Sequence, residues 1–82
     1  MLYGVLTGLN KGAFLFCTGL TSVTIGNGVT SIGYAAFGNC TGLTSVTFEG
    51  TVAEWNAISK GNDWNYNCPF TEVVCSDGTV QV

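Results

Sequence analysis

Residues 17–25 read CTGLTSVTI, and residues 40–48 read CTGLTSVTF. Cys40 minus Cys17 gives an offset of 23, and the same offset lays Phe14 on Phe37, Leu20 on Leu43 and Val23 on Val46. The match continues backwards, with Leu9-Asn10-Lys11-Gly12-Ala13-Phe14 over Ile32-Gly33-Tyr34-Ala35-Ala36-Phe37. The repeated unit is therefore longer than the nine quoted residues.

A fixed period between about 20 and 29 residues around an L-x-x-L-x-L core is the mark of a leucine-rich repeat solenoid. Here the core reads Leu20-x-x-Val23-x-Ile25 and then Leu43-x-x-Val46-x-Phe48. Each coil of such a chain is a ribbon with one apolar edge, which it cannot hide alone; stacking covers it. Stacked strands lie about 4.8 Å apart, so equivalent residues of successive coils form ladders in which like packs on like. The expected inward ladders are Phe14 over Phe37, Cys17 over Cys40, Leu20 over Leu43, Val23 over Val46 and Ile25 over Phe48. Strand alternation sends Ser22, Thr24, Ser45 and Thr47 to the opposite, concave face, which is the candidate contact surface. Between the strands, Asn27-Gly28 signals a turn, with Val29 and Ile32 expected to point inward.

The repeat is expected to break after Phe48. Thr51-Val52-Ala53-Glu54 fits a capping box at the start of a short helix, with Val52, Trp55 and Ile58 on one face and Gly61 closing it. Glu72-Val73-Val74-Cys75, Ser76-Asp77-Gly78 and Thr79-Val80-Gln81-Val82 read as a β-hairpin about an Asp-Gly turn. Trp55, Trp64, Tyr66 and Phe70 would then lie over the last coil as a lid. The expected organisation is repeat coils over residues 1–50, the first incomplete, and a C-terminal cap over 51–82. The fold class is thus a β-rich solenoid with short helical or irregular convex segments, closed by a helix and a hairpin.

Composition narrows the function. At 82 residues the chain is one domain with a thin core, and 46% apolar against 9% charged residues leaves the surface to Thr, Ser, Asn and Gly. Two lysines, Lys11 and Lys60, and no arginine give no basic patch for phosphate, which argues against nucleic acid and anionic lipid. No run approaches the roughly 20 apolar residues of a membrane span, and the first residues do not read as a signal peptide. There is no histidine, so no general base or imidazole ligand is on offer. A Cys or Ser nucleophile without an activating partner stays weak, and the carboxylates Glu49, Glu54, Asp63, Glu72 and Asp77 fall in cap and turn segments. No catalytic residue and no cofactor is expected. The cysteine spacings do not make two C-x-x-C pairs, which argues against zinc. Cys17 and Cys40 read as buried thiols, and a Cys68–Cys75 disulfide is open as an alternative to free thiols there.

Val29 to Phe48, VTSIGYAAFGNCTGLTSVTF, resembles the 23-residue leucine-rich repeat of BspA-type bacterial surface proteins, and Trp55 to Val80 resembles the segment that ends many such arrays in gut bacteria. Gly26-Asn27-Gly28 departs from the family's usual Pro-containing turn. The resemblance implies a cell-surface or secreted adhesion module meeting a host or neighbouring-cell protein or glycan. The alternative is a purely structural end to a longer array. The offset places Met1 over Thr24 and Leu2 over Ile25, so the chain opens near a strand end. That suggests either the tail of a longer array or a short protein that covers its open end by association. Leu15 and Phe16 stand where the next copy has Gly38 and Asn39. They either wrap under the first coil or form the self-association surface of a homodimer.

Overall fold

Val23, Ile25, Val46 and Phe48 alternate with hydroxyl residues, and β-branched side chains in strict alternation favour a half-buried strand. They form β2 (Ser22–Ile25) and β4 (Ser45–Phe48). The computed structural model describes residues 8–82, and in it these strands pair in parallel, Ser22 with Ser45, Val23 with Val46, Thr24 with Thr47 and Ile25 with Phe48. The offset of 23 read from the letters is the register of the sheet. The expected placement of Met1 and Leu2 lies outside the described residues.

Each copy also carries a shorter strand. β1 (Gly8–Leu9) pairs in parallel with β3 (Ser31–Ile32), again at an offset of 23 from Gly8 to Ser31. The chain therefore alternates between two sheets, and each full circuit adds one strand to both. The sheets continue past Phe48, where the repeat was expected to stop. β5 (Ser59–Lys60) adds to β3, and β6 (Glu72–Cys75) adds to β4, both in parallel. Ser59 minus Ser31 is 28 and Val73 minus Val46 is 27, so the third circuit is longer than the first two. Helix α1 (Val52–Ala57), inserted between β4 and β5, accounts for the length. β7 (Gly78–Gln81) then turns back antiparallel on β6, giving sheets ordered β1-β3-β5 and β2-β4-β6-β7. Cys75 pairs with Gly78, so the hairpin turns on Ser76-Asp77 and Gly78 opens the last strand.

The connections from the short strands to the long ones are held together by backbone bonds between successive circuits. Gly12, Phe14 and Phe16 donate their N–H groups to Tyr34, Ala36 and Gly38 at 2.9, 2.7 and 2.9 Å, and Ala35, Phe37 and Asn39 donate to Asn62, Trp64 and Tyr66 at 3.1, 2.8 and 2.7 Å. Two positions in each connection take the left-handed conformation: Gly12, Ala35 and Asp63 at one, with φ of 63°, 53° and 56°, and Phe16, Asn39 and Asn67 at the other, with φ of 63°, 57° and 58°. Gly61 closes no helix. It repeats Gly33, whose Cβ, if present, would lie 2.5 Å from the Lys11 backbone nitrogen; at Gly61 the clash would be 2.5 Å from that of Tyr34. Only hydrogen lets the circuits approach this closely.

The ladders fill the space between the sheets. Val23, Ile25, Val29, Ile32, Phe37, Cys40, Leu43, Val46 and Phe48 are buried, while Phe14, Cys17 and Leu20 of the first circuit are half-covered against them. Each fully buried Val, Leu, Ile or Phe side chain stabilises the fold by roughly 1.5–3 kcal/mol. The Phe14 and Phe37 rings stack, centroids 5.4 Å apart and planes 6° from parallel. Past Phe37 the pattern shifts by one place: Trp64 stands at the Ala36 position and meets the Phe37 ring edge-on at 6.4 Å. Trp64 then packs on Trp55 and Phe70, and Trp55 on Phe48, at 5.6, 5.9 and 5.5 Å. Trp55, Trp64 and Phe70 thus form one aromatic cluster against Phe37 and Phe48, which Tyr66, expected among them, does not join; it is 58% exposed.

Helix α1 is too short to stand alone, and its ends are tied down instead. Thr51 Oγ1 accepts from Glu54 N and Glu54 Oε1 accepts from Thr51 N, completing the capping box. Asp77 Oδ1, from the hairpin turn, accepts from Val52 N at 2.8 Å. At the other end the Lys60 ammonium donates to the carbonyls of Trp55 and Ile58 at 2.9 and 3.1 Å and sits over the Trp55 ring, 4.7 Å from its centroid.

Candidate functional site

Because β2 and β4 run in register, their outward residues form two rows. Ser22 stands beside Ser45 and Thr24 beside Thr47, with the serines exposed and the threonines half-buried. The four candidate contact residues are therefore brought together on one sheet face. Hydroxyls donate and accept, so this face offers hydrogen bonds of either sense without charge. The sheet also lengthens both rows, which the sequence reading missed. Val74 pairs with Thr47 and with Thr79, continuing the threonine row across β6 and β7, and Val74 is 46% exposed. Glu72 pairs with Gln81 in the neighbouring row. The adjacent valines Val73 and Val74 gave no clue to which faces inward; only pairing with β4 decides it.

Leu15 and Phe16 lie elsewhere, on the connection between β1 and β2. Leu15 is 40% and Phe16 66% exposed, so neither wraps under the first circuit. They form one wall of a surface groove of about 410 Å³ that runs along the stack, floored by Ala35 and Gly38 and walled on the far side by Asp63 and Tyr66. Tyr34 and Asn39 complete it. These two residues were expected at the open N-terminal end; the groove they line is lateral and draws on all three circuits. A smaller hollow of about 190 Å³ lies between the Asn27 turn and α1, lined by Val29, Phe48, Glu54 and Ile58 among others. The Glu54 carboxylate there already accepts from Thr51 N.

The cysteines make a column, with Cys68 as a third rung. Cys40 Sγ donates to Phe14 O at 3.1 Å, and Cys68 Sγ donates to Phe37 O at 2.9 Å. All four cysteines are free, so the disulfide alternative for Cys68 and Cys75 is not realised. Burial pushes the thiols of Cys40, Cys68 and Cys75 up from the ordinary range, with the Asp77 charge adding to the effect at Cys75. Raised thiols are poor nucleophiles and poor metal ligands near neutrality. No cluster of three or more Cys, Asp or Glu able to hold a metal occurs among the described residues. No helix among them is long and apolar enough to cross a membrane.

A family model described as "BspA type Leucine rich repeat region (6 copies)" matches residues 7–81. Comparison with curated proteins and with solved structures gave no match to either.

Proposed function

The chain belongs to the BspA type leucine-rich repeat family, and from that premise we propose that it is a non-catalytic interaction module of a surface repeat protein, meeting its partner through Ser22, Thr24, Ser45 and Thr47. The observation that carries this reading is the pair of hydroxyl rows held in register on one sheet face. A β-sheet is stiff, so the hydroxyls are positioned before a partner arrives and little ordering entropy is lost on contact. Uncharged donors and acceptors at about 4.8 Å spacing suit polar, neutral surfaces, meaning a protein or glycan on a host or neighbouring cell. The proposed place of work is the cell surface or the secreted fraction, in keeping with the family. Adhesion is tested by binding of the labelled chain to epithelial cells and to a glycan array. Thr24→Lys with Thr47→Lys should abolish binding without unfolding the chain, and unchanged binding would refute the assignment of this face.

A second reading, that the segment terminates a solenoid and has no ligand of its own, is favoured by β7. This strand lies antiparallel where a further parallel strand would otherwise continue the sheet, and Asp77 ties its turn to α1. On this reading the double lysine variant changes nothing except surface charge.

A further inference from the structure

The groove across the three circuits is ordered along the stack. The first circuit supplies Leu15 and Phe16, the second supplies the small residues Ala35 and Gly38, and the third supplies Asp63 and Tyr66, with Lys11 of the first circuit outside the lining but over the Tyr34 ring that borders it. Phe16 is the informative residue. It occupies a left-handed position, φ 63°, that asparagine fills in the next two circuits. Asparagine adopts that conformation at lower cost than phenylalanine, because its short polar side chain can hydrogen-bond locally to offset the crowding at Cβ. Asn67 Nδ2 also donates to Asn39 Oδ1 there at 2.9 Å, a link that Phe16 cannot extend. The strained residue is moreover 66% exposed, so its ring gains little from the fold that holds it. The left-handed backbone serves the stack, since Phe16 N donates to Gly38 O at 2.9 Å, but an exposed ring at that position gains nothing within the chain and points to a contact made outside it.

Charge indicates what that contact is. Of the two lysines, Lys60 is taken up by the end of α1. Lys11 lies 5.9 Å from the centroid of the Tyr34 ring, at the groove, and neither Lys11 nor Asp63 makes an ion pair among the described residues. A closed dimer needs a self-complementary patch, in which residue i meets j and j meets i. Turning a second copy over about an axis through Ala35 and Gly38 sets Lys11 against Asp63 of the second copy and Phe16 against Tyr66 of the second copy, twice each. The small side chains at the axis let the two backbones approach.

We propose that this lateral groove is a homodimer interface, with the two stacks antiparallel. A saccharide would use the tyrosine rings and Asp63 but would leave Lys11 and the strained Phe16 without a role. The inference rests on the interaction-module reading only for its purpose: a dimer carries two hydroxyl faces, and paired faces raise avidity without any new contact.

Sedimentation equilibrium of the full chain from about 10 μM to about 1 mM covers the range of weak specific contacts. The wild type should approach twice the mass of the 8.6 kDa chain. Phe16→Asn should stay monomeric while keeping its circular dichroism. Lys11→Glu and Asp63→Lys should each weaken dimerisation roughly tenfold, and the two together should restore it, because the exchanged charges again oppose. A monomer mass throughout, a Phe16→Asn variant that still dimerises, or folded single charge variants that the double variant does not rescue would each overturn the proposal. Binding of cellotetraose to a monomeric wild type, lost in Tyr66→Ala, would replace it with a saccharide site. Thr24→Lys with Thr47→Lys should leave the dimer mass unchanged, so the failure of one proposal is separable from that of the other.

Discussion

The thiol of Cys40 donates to the carbonyl oxygen of Phe14 across 3.1 Å, and the next circuit repeats the bond from Cys68 to Phe37. Cys40 and Cys68 thus each reach back to the circuit before them. A small, slightly polar side chain suits this place, since it packs as a hydrophobe and still satisfies a backbone acceptor. This is the reason Cys40 leads the second copy of the nine-residue string and Cys68 takes the equivalent place in the third circuit.

Cys40 is fully buried, so Cys40→Ala removes both packing and the donor to Phe14 and should cost about 1–2 kcal/mol. Cys68→Ala, at a half-buried site, should cost less. Urea unfolding measures the order of the two variants. Equal effects would mean that the column contributes nothing beyond local contact.

Stability should fall in alkali. The folded-state pKa values of Cys40, Cys68 and Cys75 lie above the ordinary thiol value because burial disfavours the thiolate. Their contribution is complete below the unfolded thiol pKa and is lost as pH rises through the folded values, since only the unfolded chain ionises in that interval. Lys60 acts in the opposite sense. Burial lowers its pKa from 10.5, so the penalty on its ammonium is relieved as pH climbs towards that value. With three thiols against one amine, the urea midpoint should decrease between about pH 8 and about pH 10. Replacing the three cysteines with alanine should flatten or reverse that slope.

Gly61 should tolerate no side chain. Its Cβ would meet the backbone of Tyr34 at 2.5 Å, and backbone cannot rotate away, so Gly61→Ala should destabilise by about 2 kcal/mol or more. Gly19→Ala is the control, because nothing lies within 4 Å of the added carbon. Thermal melts of the two variants should differ by several degrees.

Phe16→Asn should stabilise the monomer while abolishing the proposed dimer. Relief of the left-handed strain is worth about 1 kcal/mol, and the introduced asparagine would stand beside Asn39 as Asn67 does. Chemical denaturation at low concentration, where association is absent, isolates the effect. A lower midpoint would show that the ring packs in the monomer after all.

Lys60→Met should cost about 1–3 kcal/mol, because the ends of α1 have no other cation and two carbonyls lose a charged donor. Amide exchange across residues 52–58 should accelerate more than exchange in β2 and β4. Uniform acceleration would mean that the helix and the sheets open together.

The letters alone determined how the long strands of the first two circuits stack, though not the second sheet that β1 and β3 begin. A period of 23 sets β2 against β4 residue for residue, and alternation within SVTI and SVTF decides which side chains are buried, because both are local properties of a strand. The capping box at Thr51 and Glu54 was legible for the same reason: its partners lie three residues apart. The hydroxyl face followed from the alternation. The third circuit did not. Insertion of α1 stretches its offset to 28, and Trp64 moves the large ring one place along, so the self-match disappears while the backbone path continues. The bond from Val52 to Asp77, the reach of Lys60 over Trp55, the facing of Val74 and the groove shared by Phe16, Gly38 and Asp63 likewise join residues that the repeat does not relate. Only stacking brings them together: a repeated pattern in the sequence specifies how one circuit lies on the next, but contacts made where the pattern is broken depend on where the interrupted chain is carried in space.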